Sequence, residues 1–426
     1  MQLLRHYDRR LDSQPARVVI RPFYLAMEPR NLHPQQAARI RRVVDAVLAL
    51  SEAECESELA AVNADFAVRH LQTARVHDER FAQIAADIDI PGGLSAARRE
   101  LIGAYFCHEY SYSAAAVMNP SIVRHPDQGG LAPGEQRFIM SVRSVGEGHI
   151  SSISFREGVL TAAGDLTLLP QPDVTFAADG ASAAAPDGAI IVRRPPSVRI
   201  SGTVIFPHTP AQRNGLEDLR LTRFEDESGI AFYGTYTAYS GLAIRSELLS
   251  TRDFAEFMLS PMSGDAAVNK GMALFPRRIG GGYAMLGRQD GESIYFLKSD
   301  SLTVWSGGER ILAPHFPWEL VQIGNCGPPI ELDEGWLILT HGVGAMRKYS
   351  IGAALLDKAD PRKVLARSPA PLLTPSADTR EGYVPNVVYT CGALKHGDQL
   401  FIPYAVADSA ISFAMADIRS LLAVLA

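Results

Sequence analysis

One phrase recurs through the later part of the chain: a polar or Pro-marked loop, a strand, a tight turn, a second strand, and a third strand that ends at an Asp-bearing turn. Successive copies run from Asp218-Leu-Arg-Leu-Thr-Arg-Phe to Asp226-Glu227-Ser228-Gly229, and from Lys270-Gly-Met-Ala-Leu-Phe-Pro to Gly280-Gly281-Gly282. Two more run from Pro329-Ile-Glu-Leu to Asp333-Glu334-Gly335, and from Asn386-Val-Val-Tyr-Thr to His396-Gly397-Asp398. Their outer strands end at Asp253, Asp300, Asp360 and Asp417, in steps of 47, 60 and 57 residues. A step of that size suits one four-stranded blade. A more divergent copy opens at Asn119-Pro120-Ser121-Ile122-Val123, continues through Arg137-Phe-Ile-Met-Ser-Val-Arg143 and closes at His149-Ile-Ser-Ser-Ile-Ser-Phe155. The prediction is an all-β fold, a five-bladed β-propeller over residues 117–426. A β-sandwich with long insertions is the rival, and it gives no reason for the constant order of the phrase.

The stretch ahead of it reads differently. From Asn31 to Ala116 apolar residues recur at steps of three and four, as in Ile40, Val44, Val47, Leu48 and in Leu59, Val62, Phe66, Val68. That is helical periodicity. Asp89-Ile90-Pro91-Gly92-Gly93 interrupts it, and a further helix is expected from Ser95, as N-cap, to about Phe106. The expected organisation is an N-terminal segment 1–30, open to contributing a strand, an added α-helical block 31–116, and the propeller. The apolar stripes of the block call for something to dock against, a homo-oligomer partner being one option.

Composition removes several function classes. With 47% apolar and 21% charged residues in 426, the chain has the makings of a core and neither the low hydrophobicity of a disordered chain nor a fibrous bias. No apolar run nears the roughly 18 residues of a membrane span, and Met1-Gln2-Leu3-Leu4-Arg5 lacks an apolar signal core. A cytoplasmic protein with no membrane partner is expected. The balance of 41 basic against 47 acidic residues gives a net charge of −6, which argues against a nucleic-acid surface. Cys55, Cys107, Cys326 and Cys391 form no C-x-x-C pair, so neither a zinc ribbon nor a redox dithiol is indicated.

In a propeller the first strand of every blade lines the axis, so residues opening each repeat converge on one pocket. The openings supply Asn119 and Ser121, then Glu217, Asp218 and Arg220, then Asn269 and Lys270, then Gln322, Asn325 and Cys326, and finally Asn386. The ends of the second strands add Arg143, Arg288 with Asp290, His341 and Asp408. Carboxylates, amides and cations without a Cys/His cluster point to a sugar or phosphate site rather than to a transition metal. Trp305, Trp318 and Trp336 read as packing aromatics, Tyr233, Tyr236 and Tyr239 mostly likewise, and Cys326 and Cys391 lack an evident base.

These residues also carry a resemblance. Gly215-Leu216-Glu217-Asp218-Leu219-Arg220, the Lys270 segment ending Phe275-Pro276, Gly335-Trp336-Leu337-Ile338-Leu339-Thr340-His341-Gly342-Val343, Ala354-Leu355-Leu356-Asp357 with Asp360-Pro361, and Pro385-Asn386-Val387-Val388 resemble the β-mannoside phosphorylases and β-mannosidases of glycoside hydrolase family 130. The resemblance spans about residues 117–426 and leaves out the helical block. It implies a five-bladed propeller, an inverting reaction on terminal β-mannosides such as β-1,2- or β-1,4-manno-oligosaccharides, and one catalytic acid. By position that acid is Asp218, working through a sugar hydroxyl.

A phosphorylase puts inorganic phosphate where an inverting hydrolase has its second carboxylate, so the attacking side needs cations. The resemblance assigns Lys270, Arg288 and His341 to phosphate, with Lys270 standing where many relatives have Arg. Asn119, Ser121, Arg143, Glu217, Arg220, Asn269, Gln322, Asn325 and Asn386, placed at the pocket by their positions in the repeats, are expected to bind the substrate, and the resemblance adds Asp408 on a sugar hydroxyl, with capping as its alternative. Gln322, in Gln322-Ile323-Gly324, stands where relatives carry Lys, which weakens the phosphate reading. Phosphorolysis to α-mannose 1-phosphate, with phosphate as co-substrate and neither cofactor nor metal, is the leading expectation. The hydrolase alternative needs a base about 6.5–9.5 Å from the acid; Glu147 is the first candidate, followed by Asp290 and Glu331. A glycan-binding propeller without activity is the third reading.

Overall fold

The computed structural model describes residues 3–23, 34–181 and 188–426. Residues 1–2, 24–30 and 31–33, which belong to the expected N-terminal segment and the start of the helical block, lie outside the described residues. The chain divides into two compact units: Met1–Gln14, Ser113–Pro172 and Ala177–Ala426 form the larger, and Pro15–Tyr112 with Asp173–Phe176 the smaller.

The larger unit is mostly β. Among the described residues its main strands fall into five antiparallel groups in chain order, the first two joined in one sheet by a parallel pairing of Ser151 with Gly215. The first comprises Ala116–Arg124, Gln136–Val145, Ser151–Leu160 and Leu166–Leu168. The second comprises Gly215–Asp226, Gly229–Tyr239, Ile244–Thr251 and Glu256–Pro261, extended by Ile190–Arg193 and Asp179–Ala181. The third is Ala273–Leu274, Tyr283–Gly287, Ile294–Ser299 and Glu309–Leu312. The fourth is Gln322–Asn325, Trp336–Val343, Tyr349–Leu356 and Val364–Arg367. The fifth holds Val388–Tyr389, Gln399–Val406 and Ala410–Asp417, and is completed from the other end of the chain by Leu4–Leu11, which pairs antiparallel with Ala410–Asp417.

Local chemistry sets the hairpins. Between Gly215–Asp226 and Gly229–Tyr239, Asp226 Oδ1 accepts from the Ser228 amide at 2.9 Å, and Gly229 takes the positive φ of 99° that closes the turn. Alternation along the strands then gives each group two apolar faces, and a cluster forms between every pair of neighbours. Ile139, Ile153 and Phe155 of the first group meet Leu216 and Phe232 of the second. Phe224 and Leu248 meet Met285, Leu297 and Trp305. Leu286 and Phe296 meet Trp336 and Ile338, and Leu337 and Leu339 meet Leu400 and Ile402. A fifth cluster joins the last group to the first, through Phe401, Ile411 and Phe413 against Val117, Phe138 and Met140. Each such side chain contributes about 1.5–3 kcal/mol on burial.

In the smaller unit four helices, α1 (Pro34–Leu48), α2 (Glu52–Phe66), α3 (Thr73–Asp87) and α4 (Ala96–Tyr105), accompany a ribbon of Val18–Pro22 and Cys107–Ser111. Ser51 and Glu54 form a capping box on α2, and Ser95 Oγ caps α4 by accepting from the Arg98 amide at 3.1 Å. The core is Ile40, Val44, Val47, Cys55, Leu59, Ile84, Leu101, Ile102 and Phe106. The Arg98 guanidinium donates to the Val47, Leu48 and Leu50 carbonyls at 2.8, 3.0 and 2.9 Å, satisfying the open end of α1. Phe66 ends α2, so Val68, expected on its apolar stripe, sits instead in the turn Ala67–Arg69 and is exposed. Among the described residues no helix is long and apolar enough to cross a membrane.

Candidate active site

Four of the five groups open on an Asn or Asp in the left-handed region: Asn119 (φ 49°), Asp218 (φ 58°), Asn269 (φ 67°) and Asn386 (φ 62°). Short polar side chains tolerate that conformation best, because they bond locally. In the first two groups the residue sits in a bulge, where pairing skips from Met118 to Ser121 and from Glu217 to Arg220. A bulge re-aims one side chain out of the strand's alternation, and here it turns Asn119 and Asp218 toward each other: the Asn119 amide donates to Asp218 Oδ1.

A charged network surrounds that pair. Arg143 donates to Asp218 Oδ1 at 3.1 Å and to Glu217 Oε1 at 2.6 Å, and Lys270 Nζ donates to Glu217 Oε2 at 2.7 Å. Arg220 donates to the Asp218 carbonyl at 3.0 Å and to the Tyr389 hydroxyl at 2.8 Å. His341 packs its ring 4.9 Å from that of Tyr389 and stacks at 6.0 Å on Tyr349.

These side chains line one cavity of about 500 Å³ that draws on every strand group. Asn119 and Arg143 come from the first, Asp218 and Arg220 from the second, Asn269, Lys270 and Arg288 from around the third, Gln322 and His341 from the fourth, and Asp408 from the fifth. Arg347, Tyr349, Val387, Tyr389 and Gly291 complete the wall. The buried Nε atoms of Arg220 and Arg288 and Oδ1 of Asn119 have no hydrogen-bond partner among the described residues, as expected of a wall that awaits a polar ligand.

The two lining carboxyls are pushed apart. Burial alone would raise the Asp218 carboxyl, but Arg143, Lys270, Arg220 and the Asn119 amide outweigh it and hold it well below the ordinary range. At Asp408 burial wins over Arg143, and with the Asp218 charge nearby the carboxyl rises to about 6. Burial, with Arg288 and Arg220 beside it, holds the His341 imidazole well below its usual value, so it is a neutral ring that can still donate one hydrogen bond. Burial also lowers Arg288, without neutralising a guanidinium.

The remaining sequence candidates stand elsewhere. Ser121 Oγ accepts from the Leu221 amide at 2.9 Å, and Asn325 Nδ2 donates to the Gly271 carbonyl at 2.8 Å; both are fully buried and hold neighbouring strands. Glu217 lies behind the wall, holding Arg143 and Lys270, and Asn386 is half-buried beside Val387. Glu147 is exposed on the turn Glu147–His149. Asp290 accepts from the Glu292 and Ser293 amides, and Glu331 is held bidentate by Arg277 at 2.8 and 2.9 Å. None of these three lines the cavity. Cys326 and Cys391 are fully buried, burial pushing the Cys326 thiol up to about 12. Trp318 packs against Gly342 and Gly352, and Tyr236 bonds Glu247 in the core. Among the described residues no group of three or more His, Cys, Asp or Glu side chains could hold a metal ion.

Sequence reasoning missed Arg347, Tyr349 and Tyr389. Arg347 stands in a turn, after the second strand, whose backbone repeats in two groups. Gly344 (φ −100°, ψ −163°), Met346 (φ 57°) and Arg347 (φ 54°) repeat Gly146 (φ −108°, ψ −161°), Gly148 (φ 66°) and His149 (φ 60°).

Comparison with known proteins brings sequence and geometry together. A family profile described as β-1,4-mannooligosaccharide phosphorylase matches residues 198–426. A 1,2-β-oligomannan phosphorylase of Thermoanaerobacter sp. (strain X514) is 33% identical over 230 residues, 53% of this chain and 75% of the relative. A β-1,2-mannobiose phosphorylase of Listeria innocua serovar 6a is 34% identical over 222 residues, 49% of this chain and 59% of the relative. The solved structure of a Listeria innocua β-1,2-mannobiose phosphorylase, in complex with β-1,2-mannobiose, superposes with a TM-score of 0.52 at 22% identity, covering 73% of this chain and 92% of the other. Over that share, the chain has that protein's fold.

Proposed function

The chain belongs to glycoside hydrolase family 130, and on that premise we propose that it is an inverting β-mannoside phosphorylase, converting β-1,2- or β-1,4-manno-oligosaccharides and inorganic phosphate to α-mannose 1-phosphate and a shortened oligosaccharide. The five strand groups are read as blades of one propeller. Two features support this: the apolar cluster joining the last group to the first, and a cavity that takes residues from all five.

The observation that carries the function is the charge of that cavity. Arg143, Arg220, Lys270, Arg288 and Arg347 line it against the carboxylates Asp218 and Asp408, with Glu217 directly behind. Five cations against three carboxylates leave a surplus of two positive charges, which matches a phosphate dianion and exceeds what a neutral sugar and water require. The three carboxylates named as bases for a hydrolase stand outside the cavity wall.

In this reading the mannosyl unit at the non-reducing end occupies the side of Asp218, Asn119 and Arg143. Phosphate sits among Lys270, Arg288 and the neutral His341, whose N–H donates to it. A phosphate oxygen attacks the anomeric carbon from the α face while the bond to the β-linked leaving oxygen breaks. Asp218 gives up its proton, relayed by a sugar hydroxyl, to that oxygen, so charge balances at both ends. Because Asp218 is held ionised by its cations, it must first gain a proton. A phosphate dianion set among the same cations weakens their hold on the carboxylate and so favours that protonation.

The test is incubation with β-1,2- and β-1,4-mannobiose, with and without phosphate, and identification of products by mass and anomeric proton signals. Phosphate-dependent α-mannose 1-phosphate is the expected outcome. Free mannose released equally well without phosphate would overturn the reading.

A further inference from the structure

The cations of the cavity are not alike. Arg143 and Lys270 are held by Glu217, Arg220 by the Tyr389 hydroxyl and the Asp218 carbonyl, and Arg288 by the Gly291 carbonyl at 2.8 Å. Arg347 is exposed at the cavity wall with neither an ion pair nor a hydrogen bond to its guanidinium among the described residues. Its guanidinium lies 5.7 Å from the centre of the Tyr349 ring. That ring is itself steadied by His341 stacked at 6.0 Å and by Gln322 Nε2 at 3.4 Å from its hydroxyl.

The backbone that presents Arg347 is strained. Met346 and Arg347 are consecutive non-glycine residues in the left-handed region, at φ 57° and 54°, and Met346 is 91% exposed, so no packing of its side chain compensates. Such conformations are costly and collect where a side chain must be aimed. The matching turn of the first strand group shows the same backbone with a settled partner, His149 Nδ1 standing 2.7 Å from the Tyr383 hydroxyl. In the fourth group the side chain in that position is a cation at the cavity edge with no such partner.

Resting on the phosphorylase reading, we propose that Arg347 is a phosphate-binding residue, carried on the strained turn Gly344–Arg347 and braced on Tyr349, that captures the anion at the cavity edge. Of the two substrates only phosphate is charged. A guanidinium that no hydrogen bond or close ion pair engages, with Asp408 feeling its charge only at longer range, therefore discriminates between them, adding affinity for the dianion and little for a neutral mannoside.

The experiment compares wild type with Arg347→Ala and Arg347→Lys, varying phosphate and mannobiose separately. Arg347→Ala should raise the KM for phosphate by about five- to twentyfold, the scale of one charge-assisted contact, with the KM for mannobiose changed less than twofold; Arg347→Lys should recover most of the loss. An unchanged phosphate KM, or a rise confined to mannobiose, overturns the proposal. Calorimetric titration of the same three proteins with inorganic phosphate alone separates it from the reading beneath it. If wild type binds phosphate but performs no phosphorolysis, the function fails, and the Arg347→Ala binding constant still decides the role of Arg347. If wild type binds no phosphate, both fail.

Discussion

Asn119 and Asp218 share a backbone conformation and a hydrogen bond: both lie in left-handed bulges, at φ 49° and 58°, and the amide of the first donates to the carboxylate of the second. Two strands of different groups each give up a ladder position to bring them together. Asp218→Asn keeps a side chain suited to that backbone and removes the acid function together with its negative charge. It should lower kcat by about 10²–10⁴-fold. A kcat within tenfold of wild type would remove Asp218 from the role of donor.

Phosphate binding and protonation of Asp218 should be linked. The carboxylate is held down chiefly by Arg143, Lys270 and Arg220 against the upward pull of burial, and an anion placed among these cations relaxes that hold. Calorimetry of phosphate binding near pH 7, in buffers of different ionisation heat, should show wild type taking up more proton than Asp218→Asn. Equal uptake by the two proteins would break the link.

Asp408 makes the opposite contribution to stability. Its folded carboxyl, raised by burial to about 6, lies above the unfolded value near 4. The folded state therefore binds the extra proton between those values. The associated stability is fully present below about pH 4 and is lost as pH rises through 6. Asp408→Asn lacks this dependence. The difference in thermal midpoint between wild type and the variant should shift against wild type, on the order of a few degrees, between pH 4 and 7 and then level off. A difference that stays flat across that range would contradict the assignment.

Gly342 is required by packing, since a β-carbon there would lie 2.4 Å from the Trp318 ring and 2.5 Å from Glu319 Cβ. Gly342→Ala should cost about 1–3 kcal/mol, read as a lower melting temperature together with a changed tryptophan emission spectrum as Trp318 is displaced. Melting and emission like wild type would show that the wall can yield.

Much of this was legible in the sequence because it is written in periodicity and in residue type. The alternation of Gly229–Tyr239, the helical steps of Ile40, Val44 and Val47, and the cap at Ser95 are all local signals. Asn119, Asp218 and Lys270 could be placed at a pocket because each opens a repeat. Ser121 and Asn325 open repeats too, yet their side chains bond backbone groups about a hundred residues off in the first case and about fifty in the second; a partner that distant leaves no local signal. Arg347 was hidden for another reason. Its turn repeats that of His149 in backbone angles and not in residue types, with Met346 in the conformation held by Gly148. The strand Leu4–Leu11 was open only as an option, since its partner is the last strand of the chain.

That last pairing has a consequence for synthesis. On the ribosome, Leu4–Leu11 emerges long before it can find its place, because Ala410–Asp417 is made some four hundred residues later, a wait of about 20–80 s at ordinary elongation rates. Through that interval the edge it will cover does not exist, and the segment must be kept from pairing with other strands. The residues between Gln14 and Ser113 leave and re-enter the larger unit at one point, where the Gln14 amide donates to the Ser113 carbonyl at 2.9 Å. The helices of that insertion are therefore all made early, while the thread that precedes them waits for a strand near residue 410.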